Sequence, residues 1–314
     1  MLIKILQSII FGLFSGSLYG IMGLGLSLIY RTTGVMNFAQ GNSGMIGVFV
    51  GWTILVLTNN LFLAILGGLF FASLLGIFMD KILMKKVKGL THGSMLIITL
   101  GVLLVFEGIA LIIWGTQPLL FKDIFSIPPK LVFLPDYINP NNIPLIIPGN
   151  DFAVFLVATL FSILIILFSK FTKPGLALIA RSEDEVGAKV IGININFTDS
   201  LAWALGISTA VLTGFLVSPK TTVNPVMLIN YQLYGFTAAV FGGFSSFVGS
   251  FTGGIILGVL EKLVILGLDQ LFAKIGITTI NSVDLQLSII LLIIIITLII
   301  KPTGLFGAKF KGKV

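Results

Sequence analysis

The chain has 314 residues, of which 56% are hydrophobic and only 10% charged, and its mean hydropathy is +1.12. Soluble domains carry about 25% charged residues, so the composition argues against a water-soluble enzyme and against a disordered protein. A net charge of +7 accompanies no cysteine and one histidine, His92, which removes disulfides, thiol catalysis and histidine-rich metal sites.

A spanning helix needs about 20 mostly apolar residues at about 1.5 Å rise each. Apolar runs lie at 5–30, within 34–58, and at 61–79, 95–114, 152–169, 200–218, 233–266 and 285–300. One base, Lys4, precedes the first, which is too long for the apolar region of a signal peptide. The run 233–266 is broken by GGFSSFVGSFTGG and predicts two segments. The pattern predicts one all-α polytopic membrane bundle over 1–314, with eight or nine spans and broken or re-entrant glycine-rich segments.

Lysine and arginine distribution orients such a bundle. Segment 80–92 holds Lys81, Lys85, Lys86 and Lys88; 170–199 holds Lys170, Lys173, Arg181 and Lys189; the tail holds Lys301, Lys309, Lys311 and Lys313. Segment 115–151 has only Lys122 and Lys130 against Asp123, Asp136 and Asp151. The loops 80–94 and 170–199 and the C-terminus are therefore expected in the cytoplasm, and 115–151 outside. The side of the N-terminus stays open, because 31–45 could cross, re-enter or link two spans.

Polar groups in lipid must find partners. Asn37, Gln40 and Asn42 fall within an apolar stretch that Gly34, Gly41, Gly44 and Gly47 break or thin. A broken backbone at mid-depth builds transport paths; the alternative is a polar interfacial loop with small-residue packing. Glu107, inside LLVFEGIALIIWG, is either a functional ionisable group or an interhelical hydrogen-bonding residue. Glu261 beside Lys262 reads as an interfacial pair. Gly242, Gly243, Gly249, Gly253 and Gly254 read as close helix packing rather than substrate contact.

Segment 174–196, PGLALIARSEDEVGAKVIGININ, differs from the spans. Ser182 is placed to cap a helix with an acidic first turn, Glu183, Asp184 and Glu185. Ala188, Val190 and Ile191 supply an apolar side, and Gly192 can end the helix. Such a helix on the cytoplasmic face is a docking surface for a soluble partner, against a solvated connector or a helix lying on lipid. The chain has no G-x4-G-K-[ST] loop and no visible catalytic pair.

Four stretches resemble the LivH-type permease subunits of branched-chain amino acid ABC importers. They are GVMNFAQGNSGMIGVFVGW (34–52), TLGVLLVFEGIALIIWG (99–115), GLALIARSEDEVGAKVIGIN (175–194) and FTAAVFGGFSSFVGSFTGGIILGVLE (236–261), with KPTGLFG (301–307) near the end. The chain lacks the Ser-Leu-Gly-His of the sister LivM type. It departs from the common pattern in its long, proline-rich 115–151 and in Arg181-Ser182 where Arg-Ala is usual. The resemblance implies a multi-pass protein of a prokaryotic inner membrane, forming its path with a second homologous permease or as a homodimer. It also implies two ATP-binding subunits docked on 183–193, in a coupling loop whose residues include Arg181, Ala188, Gly192 and Ile193, and an extracytoplasmic substrate-binding protein. This chain would bind no cofactor, ATP and Mg being used by the partners, and no nucleic acid. Asn37, Gln40, Asn42 and Glu107 would line the path. A urea or short-amide permease of the same family, an ion-coupled secondary transporter using Glu107, and a membrane enzyme are the rival readings.

Overall fold

The computed structural model describes residues 1–87, 92–133, 135, 144–276 and 281–307. Lys88, Asp136 and the tail lysines Lys309, Lys311 and Lys313 lie outside the described residues. The chain is an all-α polytopic bundle. The helices are α1 (Leu2–Thr33), α2 (Gln40–Thr58), α3 (Leu61–Phe78), α4 (His92–Trp114), α5 (Gly149–Phe171), α6 (Lys173–Glu183), α7 (Glu185–Val190), α8 (Ile195–Thr221), α9 (Ile229–Gly242), α10 (Phe247–Ile275) and α11 (Gln286–Ile300). A π-helical turn, Met79–Leu83, and a 3-10 turn, Met84–Val87, extend α3. Among the described residues, β1 (Lys130–Val132) pairs antiparallel with β2 (Leu145–Ile147), Leu131 opposite Ile146.

Eight helical segments among the described residues are long and apolar enough to cross a membrane. The ninth candidate, α9, has 14 residues. At 1.5 Å rise it covers about 21 Å, short of a bilayer core of about 30 Å. The apolar run 233–266 is split as expected, with the break at Gly243–Ser246, where Gly243 takes φ 98° and Ser246 caps α10 through Gly249 N–H.

Helices α1 and α8 form the centre. Every residue from Gly16 to Ile29 is buried, and Trp203 and Phe215 of α8 are wholly enclosed. The most apolar 18-residue window of α8 is 89% buried, against 11% for the segment containing α11. Helices α3, α4 and α11 turn Phe62, Phe70, Leu104, Ile112 and Ile299 outward, as suits surfaces solvated by lipid tails.

Contacts between distant residues set the faces of the bundle. Gln7 exchanges hydrogen bonds with the Ile146 backbone, donating at 2.6 Å and accepting at 2.9 Å, so the start of α1 lies with the 115–148 segment. At the other end of α1, Arg31 approaches Glu183 at 3.5 Å, and Ser27 Oγ donates to Phe244 O at 2.8 Å. The 301–307 tail joins that face, Leu305 and Phe306 donating to Phe241 O and Gly242 O at 2.8 and 3.0 Å. The first helix therefore runs from the face of the 115–148 segment to the basic face.

Candidate functional site

At Gly34, φ 76° ends α1 in the left-handed region, where a side chain would be strained. Residues 35–39 then run without helix back into the bundle. Asn37 Oδ1 accepts from Ala39 N–H at 3.0 Å, an Asx turn that starts α2. The start of α2 lies at mid-depth, since Gln40 Nε2 donates to Met22 O at 3.3 Å and to Thr209 Oγ1 at 3.5 Å. Thr209 is at the middle of α8.

A second irregular stretch, 222–228, enters from the opposite face, where Val223 bridges Leu119. It leads to the start of α9 at the same depth. There Gln232 accepts from Gly41 N–H through Oε1 and donates to Phe38 O through Nε2. One side-chain amide thus satisfies two backbone groups that the broken backbone leaves without helical partners. Phe38 stacks on Phe236 at 4.6 Å beneath it.

Asn37, Gln40 and Asn42 are 1%, 0% and 3% exposed. Asn42 Nδ2 donates to Leu103 O of α4 at 3.3 Å. Asn37 Nδ2 and Gln40 Oε1 have no hydrogen-bond partner among the described residues. Buried amide groups left so cost about 1–3 kcal/mol each, and they are where a passing polar solute or water would bond. Glu107 sits one turn beyond Leu103, half-buried, and is not bonded to these three amides. The structure thus gathers Asn37, Gln40 and Asn42 around the start of α2 and leaves Glu107 to one side. Gln232 was not singled out in the sequence; a lone glutamine in an apolar run, YQLYGFTAAVFGG, was its only signal.

Close backbone packing surrounds this layer. A Cβ on Gly254 would meet the backbone of Gly20, and one on Gly258 that of Gly12 and Gly16, so α1 and α10 cross in glycine-to-glycine contact. Gly242, Gly249 and Gly253 pack backbone to backbone at the α9–α10 turn, and Gly243 lies against Gly304 and Gly307 of the tail.

Glu261 corrects an expectation. Rather than an interfacial residue, it is 0% exposed in the interior of α10, facing α1. Tyr19 Oη donates to Glu261 Oε2 at 2.9 Å, Lys262 Nζ lies 2.8 Å from Oε1, and Gln286 Nε2 donates to Tyr19 Oη at 3.1 Å. Lys262 and Gln286 line a cavity of about 540 Å³ beside this network. Its signal in the sequence, Glu-Lys within an apolar run, is the same for a surface pair and a buried one.

On the basic face, α6 and α7 form a bent pair rather than one helix. Thr172 caps α6 through Gly175 N–H at 3.1 Å. Ser182, expected to cap the acidic turn, lies inside α6 and donates to Ile179 O at 2.7 Å. The cap of α7 is Asp184, whose extended backbone aims Oδ1 at Val186 N–H, 3.0 Å away. A cap residue needs non-helical backbone, and the bend falls at Asp184. Gly192, at φ 86°, closes α7, with Ile193 N–H bonded to Ala188 O at 2.9 Å.

Arg181 is 3% exposed and holds this pair to the bundle: Nε to Asp199 Oδ1 at 3.2 Å, Nη2 to Glu185 Oε2 at 3.1 Å. Glu185 also meets Lys189 at 3.2 Å. Ala188 is buried against the bundle, whereas Val186, Val190 and Ile191 are 70%, 82% and 74% exposed. Glu183 and Asp184 flank them, exposed.

A family model described as branched-chain amino acid transport system / permease component matches residues 8–298. The high-affinity branched-chain amino acid transport system permease protein LivH of Salmonella typhimurium is 26% identical, over 98% of this chain and 97% of its own length. A probable branched-chain amino acid transport permease protein LivH of Methanocaldococcus jannaschii is 29% identical over 93% and 89%, and BraD of Pseudomonas aeruginosa 24% over 82% and 85%. No solved structure matches. With eight helical segments long and apolar enough to cross a membrane among the described residues, and a family match over nearly its whole length, the chain belongs to the branched-chain amino acid transport permeases.

Proposed function

We propose that this chain is the membrane permease of an ABC importer for branched-chain amino acids, moved by ATPases that bind its basic face. In this reading the basic face is cytoplasmic, as its lysines favour, so α1 starts outside and the 301–307 tail lies inside. A second permease completes the path, a binding protein delivers solute to the 115–148 side, and ATP with Mg is used by the ATPases. The amide layer of Asn37, Gln40, Asn42 and Gln232 is the constriction, which two opposed broken stretches can open in turn.

The α6–α7 pair carries this reading. Its buried Arg181 ties it to α8, so a push on it reaches the central helix. Its outer side offers three aliphatic side chains beside the carboxylates of Glu183 and Asp184, outside the candidate spans and not covered by the bundle. Three exposed aliphatics on a rigid, anchored turn suit a protein partner. The test is co-purification of the chain with its ATPases. Val190→Asp together with Glu183→Lys should cut recovery of the ATPase about tenfold or more while leaving the permease monodisperse. Undiminished recovery would remove the docking role. Leucine uptake into vesicles of the assembled complex should need ATP inside and survive an uncoupler; uptake by this chain alone, abolished by an uncoupler, would favour the ion-coupled reading.

A further inference from the structure

The cavity of about 540 Å³ lies toward the face of the 115–148 segment, lined by residues of α1, α5, α8 and α9, by Lys262 of α10 and by Gln286 of α11. Its volume falls in the range of about 300–1,000 Å³ common for small-molecule sites. At its outer end Lys220 is paired with Asp151; deeper, Lys262 is paired with Glu261. These four charges sum to zero. Tyr19, Tyr231 and Tyr234 form a ring cluster between the layers, with Tyr19 and Tyr234 centroids 4.7 Å apart and Tyr19 and Tyr231 6.3 Å apart. The opposite wall is apolar: Phe14, Leu18, Val154 and Leu216.

We propose that this chamber binds the zwitterionic head of an aliphatic α-amino acid, on the way to the amide layer. The proposal rests on the permease reading above for the class of solute and adds the place and the residues. A solute with one net charge would leave an uncompensated charge in a low-dielectric space, which is costly. A zwitterion can exchange with the two existing pairs, its carboxylate meeting Lys262 and its ammonium meeting Asp151. Tyrosine faces also attract an ammonium. A branched alkyl chain then lies on the apolar wall. The chamber adjoins the path, because Tyr231 lines it and the next residue, Gln232, holds the mid-depth break.

The absence of cysteine from the chain makes a direct test possible. Ser15 lines the chamber, whereas Thr58 lies outside it and is exposed. In the assembled transporter, maleimide labelling of this subunit is followed for Ser15→Cys and Thr58→Cys. L-leucine should slow labelling of Ser15→Cys about fivefold or more and leave Thr58→Cys unchanged. Neither 4-methylpentanoate, which lacks the ammonium, nor 3-methylbutylamine, which lacks the carboxylate, should protect. Adding Lys262→Gln to Ser15→Cys should abolish protection by leucine. Should that double variant elute as aggregate, the comparison of leucine with its two analogues on Ser15→Cys alone decides. A complex that takes up leucine yet shows no protection would overturn the chamber and leave the permease reading standing. Protection by phosphatidylethanolamine with none by leucine would likewise overturn it. A complex that protects Ser15→Cys but drives no uptake with ATP would overturn the permease reading instead.

Discussion

Residues 34–51 and 242–258 are both glycine-rich and both interrupt an apolar pattern, yet they end in different environments. Around 242–258 the glycines bring backbone against backbone, and the break itself is closed by conventional bonds: the Ser246 cap and the Leu305 and Phe306 amides on Phe241 O and Gly242 O. Around 34–51 the glycines admit larger neighbours, Ala210, Val211 and Phe215 of α8, and the break retains unpaired polar atoms on Asn37 and Gln40. The first stretch is finished structure. The second keeps polar atoms at mid-depth that have no partner among the described residues, which is what the proposed path calls for.

The contrast is open to direct attack. The largest effect is expected at the helix crossing: Gly254→Val would drive side-chain atoms into the Gly20 backbone. Overpacking costs up to about 3 kcal/mol, and here α1 itself would have to move. The thermal midpoint of the purified chain should fall steeply, and a near-normal midpoint would show that the seam is loose. Next comes Gln232→Leu, which strands Gly41 N–H and Phe38 O in the interior. A loss of about 2 kcal/mol is expected, seen in thermal unfolding and in faster amide exchange at the start of α2.

A smaller effect, read in transport by complexes that assemble normally, is expected for Asn37→Ala with Gln40→Ala. Losing the bonds they lend to solute should slow uptake by the assembled complex about tenfold, equivalent to about 1.4 kcal/mol. Transport at the unaltered rate, with normal assembly, would move the path elsewhere. The smallest is Gly267→Ala in α10, where a Cβ meets open space. Helix propensity predicts a gain of about 0.5–1 kcal/mol. The opposite signs at Gly254 and Gly267, within one helix, separate packing from propensity.

Much of this arrangement was legible in the residues. Apolar runs long enough to cross lipid marked every span, because a helix must satisfy its own backbone there. The split of 233–266 followed from its glycine-rich interruption and its length, and Gly192 as a helix terminator from its freedom at positive φ. The clustering of Asn37, Gln40 and Asn42 was visible because polar amides stand out against lipid-compatible neighbours. Ser182 misled because capping depends on backbone angles, and serine and aspartate two positions apart offer the same hydroxyl or carboxylate to different amides. Glu261 misled because a charge in an apolar run can snorkel or be buried, and only its partner distinguishes the two. That partner, Tyr19, is 242 residues away.

Local pattern therefore determined the class of molecule, the number of candidate spans to within one, the basic segments and a short acidic helical stretch ended by Gly192, since each follows from hydropathy, loop charge or turn chemistry within a few residues. Tertiary structure alone decided that α1 and α8 are the centre and α11 the rim, that Gln232 stitches the broken start of α2, and that Glu261 is buried on Tyr19 beside a tyrosine-lined cavity. Those features depend on which side chains from distant helices meet at one depth, and no window along the chain contains both halves of such a contact.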